Sequence, residues 1–310
     1  MQKSDSSTCH DEMELNGKGP SKMAELIALH RVAESALPES KRICYDPYAI
    51  YFVDPETIEF ARKNPEKAKA MRENYECLFP GLGNSIRARV RYFDDFVKAS
   101  IAEGLEQLVI LGAGYDTRAY RIEGLNKIKV FEVDHPGTQI AKIGKIEKIF
   151  GSIPEHVVYV PVDFESEGLS QKLLEKGYNK SQKTLFIMEG LVMYIPPKAV
   201  DATLSFITKN SMRGSAIIFD YYPQSTVDGT SESESAKNIR DFVAEQGEPL
   251  LFGIEVEMIE AFLAERGFSQ IHNVTSEDYK KAYFQGVNEG RASSSVRPIE
   301  LRLCGDRIRF

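Results

Sequence analysis

Cysteine is scarce in this chain: four in 310 residues, at Cys9, Cys44, Cys77 and Cys304, with no CxxC pair and no regular spacing. That argues against both a disulfide scaffold and a zinc site. The five histidines include no HxxxH spacing, so metal catalysis has no visible foothold and no metal is expected. Long hydrophobic runs are missing too. Nothing approaches the roughly eighteen apolar residues of a membrane span. Asp11, Glu12 and Glu14 stand where a signal peptide needs its apolar stretch. The expected address is the cytoplasm, with no membrane partner. Positive charge is in deficit, 39 Lys+Arg against 46 Asp+Glu for a net −7. A chain of that sign repels a phosphate backbone, so nucleic acid is not an expected partner.

What the chain does have is enough apolar sequence, 42% of residues, to build a sizeable core. Its length exceeds the roughly 150 residues of an average domain, yet single α/β domains run past about 250. Residues 1–20 read as a loose tail. Apolar positions then recur at helical spacing over 22–36, 56–76 and 85–103. After Gly104 the pattern changes. Leu108-Val109-Ile110-Leu111 is a short, wholly apolar run, the mark of a strand covered on both faces. Comparable runs follow at 129–133, 157–162, 184–188 and 215–219, with helical stretches at 138–149, 169–176 and 198–210 between them. Further strands are expected at 269–274 and 299–303, after a helical stretch at 254–266.

Strands alternating with helices make βαβ units and a parallel sheet. The expected fold is α/β: a doubly wound, mostly parallel, Rossmann-like sheet of seven strands whose last strand runs antiparallel. Helices over 21–104 should cover the ligand pocket of a core formed by 105–310. Two Ser-rich segments, 224–235 and 291–295, read as surface loops. The first follows a central strand at the ligand-binding edge, so it is also read as part of a lid around 223–266.

The strongest local signal is Gly112-Ala-Gly-Tyr-Asp-Thr-Arg118, directly after the first buried strand. Glycine there lets the backbone turn sharply and lets a ligand approach closely. Glu132-Val-Asp134 ends the second strand, with a carboxylate placed to accept the hydroxyls of an adenosine ribose. A nicotinamide dinucleotide wants a third glycine, where this chain has Thr117, and Asp116 would repel a pyrophosphate. S-adenosyl-L-methionine carries no phosphate and tolerates an acid at that turn. The motif therefore favours a methyl donor over a dinucleotide; a tight turn with no ligand is the plain structural alternative.

Matching blocks are spread over most of residues 25–220: Asp46-Pro-Tyr-Ala49, Arg87-Ala-Arg-Val90, the glycine motif, Glu132-Val-Asp-His-Pro136, Pro161-Val-Asp-Phe164 and Glu189-Gly-Leu-Val-Met-Tyr194. In that order and spacing, the chain resembles the leucine carboxyl methyltransferase-like family of S-adenosylmethionine-dependent O-methyltransferases. The resemblance implies that Arg89 grips the methionyl carboxylate, as a guanidinium fork does better than lysine. It implies that Gly112 and Gly114 line the methionyl part and that Asp134 holds the ribose. Asp163 and Phe164 would contact the adenine, and Glu189 would close the donor's amino-acid end. Lys41 or Arg42 would assist with the carboxylate.

Each role has a structural alternative. Asp163 would serve as a helix cap, and two of Arg87, Arg89 and Arg91 would be solvated. Tyr194, Tyr221 and Tyr222 are substrate candidates or edge-of-core aromatics. Glu189 ends an apolar strand, where burying a carboxylate needs a purpose. No catalytic residue is assigned. A carboxylate acceptor, from a small molecule or a protein C-terminus, is already ionised and needs no general base, whereas a hydroxyl would need one. A catalytically inactive adenosine-ligand-binding subunit is the alternative from another class, with an NAD-dependent dehydrogenase behind it.

Overall fold

The computed structural model describes residues 19–291 and 297–302. The expected tail over 1–20 lies, except for Gly19 and Pro20, outside the described residues, as does most of the loop at 291–295.

A single sheet organises the chain. Its strands are β1 (Gln107–Leu111), β2 (Lys129–Asp134), β3 (Val157–Pro161), β4 (Thr184–Met188), β5 (Ala216–Tyr221), β6 (Ser269–Asn273) and β7 (Arg297–Arg302). They lie in the order β3-β2-β1-β4-β5-β7-β6. The first five pair in parallel, while β7 runs antiparallel to both β5 and β6. β1 has β2 and β4 along its two edges and a packed layer on each face, so all five of its residues are buried.

Alternation along each strand divides the core in two. Leu108, Ile110, Leu185, Ile187 and Ile218 face one layer, packed with Phe93, Phe96 and Val97 of α4 (Leu82–Ala102). Val109, Leu111, Phe186, Met188 and Phe219 face the other. There they meet α7 (Leu169–Glu175), α8 (Pro197–Lys209) and α11 (Ile259–Ala264). Fully burying each such side chain contributes about 1.5–3 kcal/mol, so dozens of them outweigh any one polar contact in holding the sheet.

Ahead of the sheet come α1 (Lys22–Ser35), α2 (Pro55–Lys63) and α3 (Pro65–Leu78). The stretch read as one helix over 56–76 is broken in two, because Pro65 lacks the N–H an uninterrupted helix needs and instead starts α3. The helix expected from 85 begins at Leu82, after Gly81 in the left-handed region at φ 74°. Short α5 (Arg118–Arg121) follows the glycine motif, and α6 (Pro136–Phe150) follows β2.

The Ser-rich segment 224–235 is not a plain loop. It forms α9 (Gln224–Val227), with Thr226 buried, and then leads into α10 (Glu234–Glu245). Its polar side chains bond locally: Asp228 Oδ1 accepts from the Thr230 N–H in the turn after α9, and Ser233 Oγ caps α10 by accepting from the Ala236 N–H. Short polar side chains that satisfy helix-end donors produce the same composition as a flexible linker. Finally α12 (Ser276–Tyr283) is closed by a capping box between Thr275 and Asp278.

Candidate active site

The C-terminal ends of β1, β2, β3, β4 and β5 open into one cavity of about 540 Å³. In open parallel sheets this edge is where ligands sit. Gly112, Gly114, Asp134, Asp163, Phe164, Glu189, Arg89, Tyr194 and Tyr222 all line it. Residues distant in sequence thus converge on one space. Tyr221 does not join them. It is fully buried among the core residues beneath the sheet edge, and the structure does not bring it to the cavity. Adjacent strand residues point to opposite faces, and Tyr222 takes the cavity side. Nor do Lys41 and Arg42 line the cavity: Arg42 stacks on Tyr45 at 4.0 Å and faces Glu39 at 3.6 Å.

Gly112 (φ 64°) and Gly114 (φ 41°) both occupy the left-handed region. A Cβ on Gly112 would lie 2.8 Å from the Leu191 side chain, so glycine is required on space as well as on conformation. The Gly114 N–H donates to Asp134 Oδ2, and the His135 N–H to Asp134 Oδ1 at 2.6 Å. Asp134 therefore fixes the glycine turn as well as facing the cavity. Burial raises its pKa. Asp163 accepts from Glu165 N–H and Ser166 Oγ at 3.0 and 2.8 Å, so it caps a turn rather than a helix while still lining the cavity.

Glu189 and Arg89 sit in a chain of ion pairs. Glu189 Oε1 accepts from Arg89 Nε at 3.0 Å, and Glu189 Oε2 faces Arg118 Nη1 at 2.6 Å. Arg89 Nη1 donates to Asp220 Oδ2 at 2.6 Å, and Asp220 Oδ1 accepts from the Gly190 N–H at 2.6 Å. Burial works against the charge on Arg89, yet Asp220 and Glu189 hold its pKa above the ordinary arginine value. Arg89 Nη2 forms no hydrogen bond among the described residues, and Arg89 lines the cavity. The chain continues through Arg118 to Asp94 at 2.7 Å and through Arg121 to Asp94 at 2.6 Å. Arg31 pairs with Asp46 at 2.8 Å and donates to the Tyr115 carbonyl at 2.6 Å. Arg31, Arg89, Arg118 and Arg121 thus interleave with Asp46, Asp94, Asp116, Glu189 and Asp220, and buried Lys142 also acts on Asp116.

Sequence reasoning missed Arg31, Asp220 and Glu248. For Arg31 the signal was there: Ala24, Ile27, Ala28 and Arg31 fall on one helical stripe, so the arginine is carried into the interior. Asp220 is the next-to-last residue of β5, Asp134 the last of β2, and Glu189 directly follows β4. Glu248 follows α10 and accepts from Ser21 Oγ at 3.0 Å and from the Met23 N–H at 3.1 Å, tying the start of α1 over the cavity. Of the three arginines at 87, 89 and 91, only Arg91 is solvated, paired with Asp95 at 2.8 Å. Arg87 is partly buried against Glu34 at 3.1 Å, because α1 packs over that turn of α4.

One titration is readable in solution. His30 meets the Tyr75 hydroxyl at 3.3 Å, and burial, with Arg87 and Arg89 nearby, lowers its pKa to about 3. The unfolded chain then takes up a proton near pH 6.5 while the folded protein does not, so this contribution is full above 6.5 and is lost as pH falls towards 3. Against the parent protein, His30→Gln should show a loss on going from pH 7 to pH 5 that is smaller by about 1–2 kcal/mol. Urea denaturation at the two pH values checks this, and parallel curves would remove His30 from the acid limb.

The leucine carboxyl methyltransferase family model matches residues 24–208, more than half of the chain. This protein belongs to that family. Over 252 residues it is 31% identical to a "Putative S-adenosyl-L-methionine-dependent methyltransferase" of Mycobacterium avium, covering 79% of this chain and 82% of that one. A Bacillus subtilis protein named "Putative S-adenosyl-L-methionine-dependent methyltransferase YktD" is 29% identical over 236 residues, 76% of each chain. Among solved structures, a "putative methyltransferase" from Thermobifida fusca matches at a TM-score of 0.54 and 14% identity, over 76% of this chain and 88% of its own. That likeness speaks to the α/β methyltransferase fold.

Proposed function

We propose that the protein is an S-adenosylmethionine-dependent methyltransferase that places the methyl group on an oxygen of its acceptor. The observation that carries this reading is the convergence of the glycine turn, Asp134, Asp163, Phe164, Arg89 and Glu189 on one cavity. Asp134 would take the ribose hydroxyls, Phe164 the adenine face, and Arg89 Nη2 the methionyl carboxylate. The names of the two relatives support the same donor.

The donor, when bound, supplies an activated methyl group on a sulfonium. What remains for the protein is positioning and exclusion of water. The glycine turn and Asp134 fix one end of the donor, and Arg89, locked between Glu189 and Asp220, fixes the other. Residues 19–24, held by Glu248 and by Thr138 (which accepts from the Ser21 N–H at 3.2 Å), cover the space between. Calorimetry with S-adenosylhomocysteine and with NAD tests the reading. Micromolar binding of the first and none of the second is expected, and the reverse result would overturn it.

A further inference from the structure

Resting on the methyltransferase reading, we infer that the acceptor is a small monocarboxylate with an aromatic or branched apolar body, held by the Tyr194 and Tyr222 hydroxyls and not presented by a protein C-terminus. The cavity has two halves of different chemistry. Beyond the donor residues, its wall is formed by Tyr75, Phe79, Ile86, Tyr222, Ile239 and Phe242. Such a surface binds an apolar body through burial of area and ring contacts.

That half is roofed from two sides. Phe79 of the α3–α4 corner meets Phe242 of α10 edge-on, ring centroids 5.3 Å apart. Asn238 Nδ2 donates to the Leu78 carbonyl at 3.0 Å and ties the same two elements. On the other side Glu248 holds the start of α1. Phe79, Ile86 and Ile239 are consequently buried although they line open space. A polypeptide terminus would have to thread between these ties with its chain trailing outside, whereas a free small acid needs only brief opening.

The polar groups in this half point to an oxyanion. Tyr194 and Tyr222 line the cavity, and neither hydroxyl forms a hydrogen bond among the described residues. Both side chains are half-buried rather than sealed in the core, so each hydroxyl is free to donate to a ligand oxygen that enters the cavity. Burial raises the Tyr222 pKa to about 12, so it remains a donor at neutral pH. In the transfer a carboxylate oxygen lone pair forms the new O–CH₃ bond as the S–CH₃ bond breaks. The bonding pair stays on sulfur, which becomes a neutral thioether, and the carboxylate becomes a neutral methyl ester. No proton has to move.

The test uses the full chain with labelled S-adenosylmethionine and three arms: benzoate, phenylacetate and isovalerate; 4-methylphenol; and a decapeptide ending in a free leucine carboxylate. Methyl esters from the first arm alone are expected. Tyr222→Phe should lower kcat/KM for the best acid at least tenfold while leaving S-adenosylhomocysteine affinity within twofold. Phe242→Leu should extend acceptance to bulkier acids. Methylation of the peptide or of the phenol in preference to the acids overturns the inference, as does no methylation of any arm by protein that binds S-adenosylhomocysteine. Failure to bind S-adenosylhomocysteine at all overturns the methyltransferase reading itself, and this inference with it.

Discussion

Asp134→Ala is expected to weaken S-adenosylhomocysteine binding by about 2–4 kcal/mol, since in the proposed donor pose it deletes the acceptor of two charge-assisted hydrogen bonds from a ribose diol. The loss should appear in calorimetry as a fall of thirtyfold or more. The same carboxylate accepts from the Gly114 and His135 N–H groups, so the ligand-free protein should also lose about 1–2 kcal/mol. Denaturation without ligand separates the two effects. Unchanged affinity in a folded variant would remove Asp134 from the donor site.

Arg118→Met carries the largest expected effect on stability. The arginine side chain is 3% exposed and faces three carboxylates, on Asp94, Asp116 and Glu189. Methionine fills similar volume but leaves those charges short of their counter-ion, at about 3–5 kcal/mol. Arg91→Met, in the exposed pair with Asp95, should cost under about 1 kcal/mol and serves as the control. A pH signature distinguishes charge loss from packing loss. Burial alone would raise Asp116, but Arg118, with Lys142, holds it at about 2, below the ordinary 3.8. Stability from that pairing is present above pH 3.8 and lost as pH falls towards 2. The gap between parent and variant should therefore narrow below pH 4, and a constant gap would mean the charges are not responsible.

Much of this was legible in sequence for a definite reason. β1, β2, β4 and β5 are buried continuous runs flanked by glycine or charge, and the site residues sit at their ends, where a strand must stop. The same continuity hid the choice between Tyr221 and Tyr222. A strand buried on both faces has no polar alternation to say which residue points up. Segment 224–235, read as a loop, is one only over 228–233, because side chains that cap a helix and those that fill a linker are the same residue types. Arg87 was misjudged for another reason. Its burial depends on Glu34, on a helix more than fifty residues earlier, and no local pattern encodes that contact.

The position of β7 carries a consequence for how the chain comes into being on the ribosome. Five parallel strands, and with them the glycine turn, Asp134, Glu189 and Asp220, are complete once Tyr221 has been made. The free side of β5 is nonetheless covered only by residues 297–302, threaded antiparallel between β5 and β6. Some seventy-five residues must be synthesised while that edge offers unpaired N–H and C=O groups to any passing strand. At the roughly 5–20 residues per second of translation, the wait lasts several seconds. The nascent protein thus carries most of the residues at the strand ends of its cavity well before its sheet is protected from aggregation.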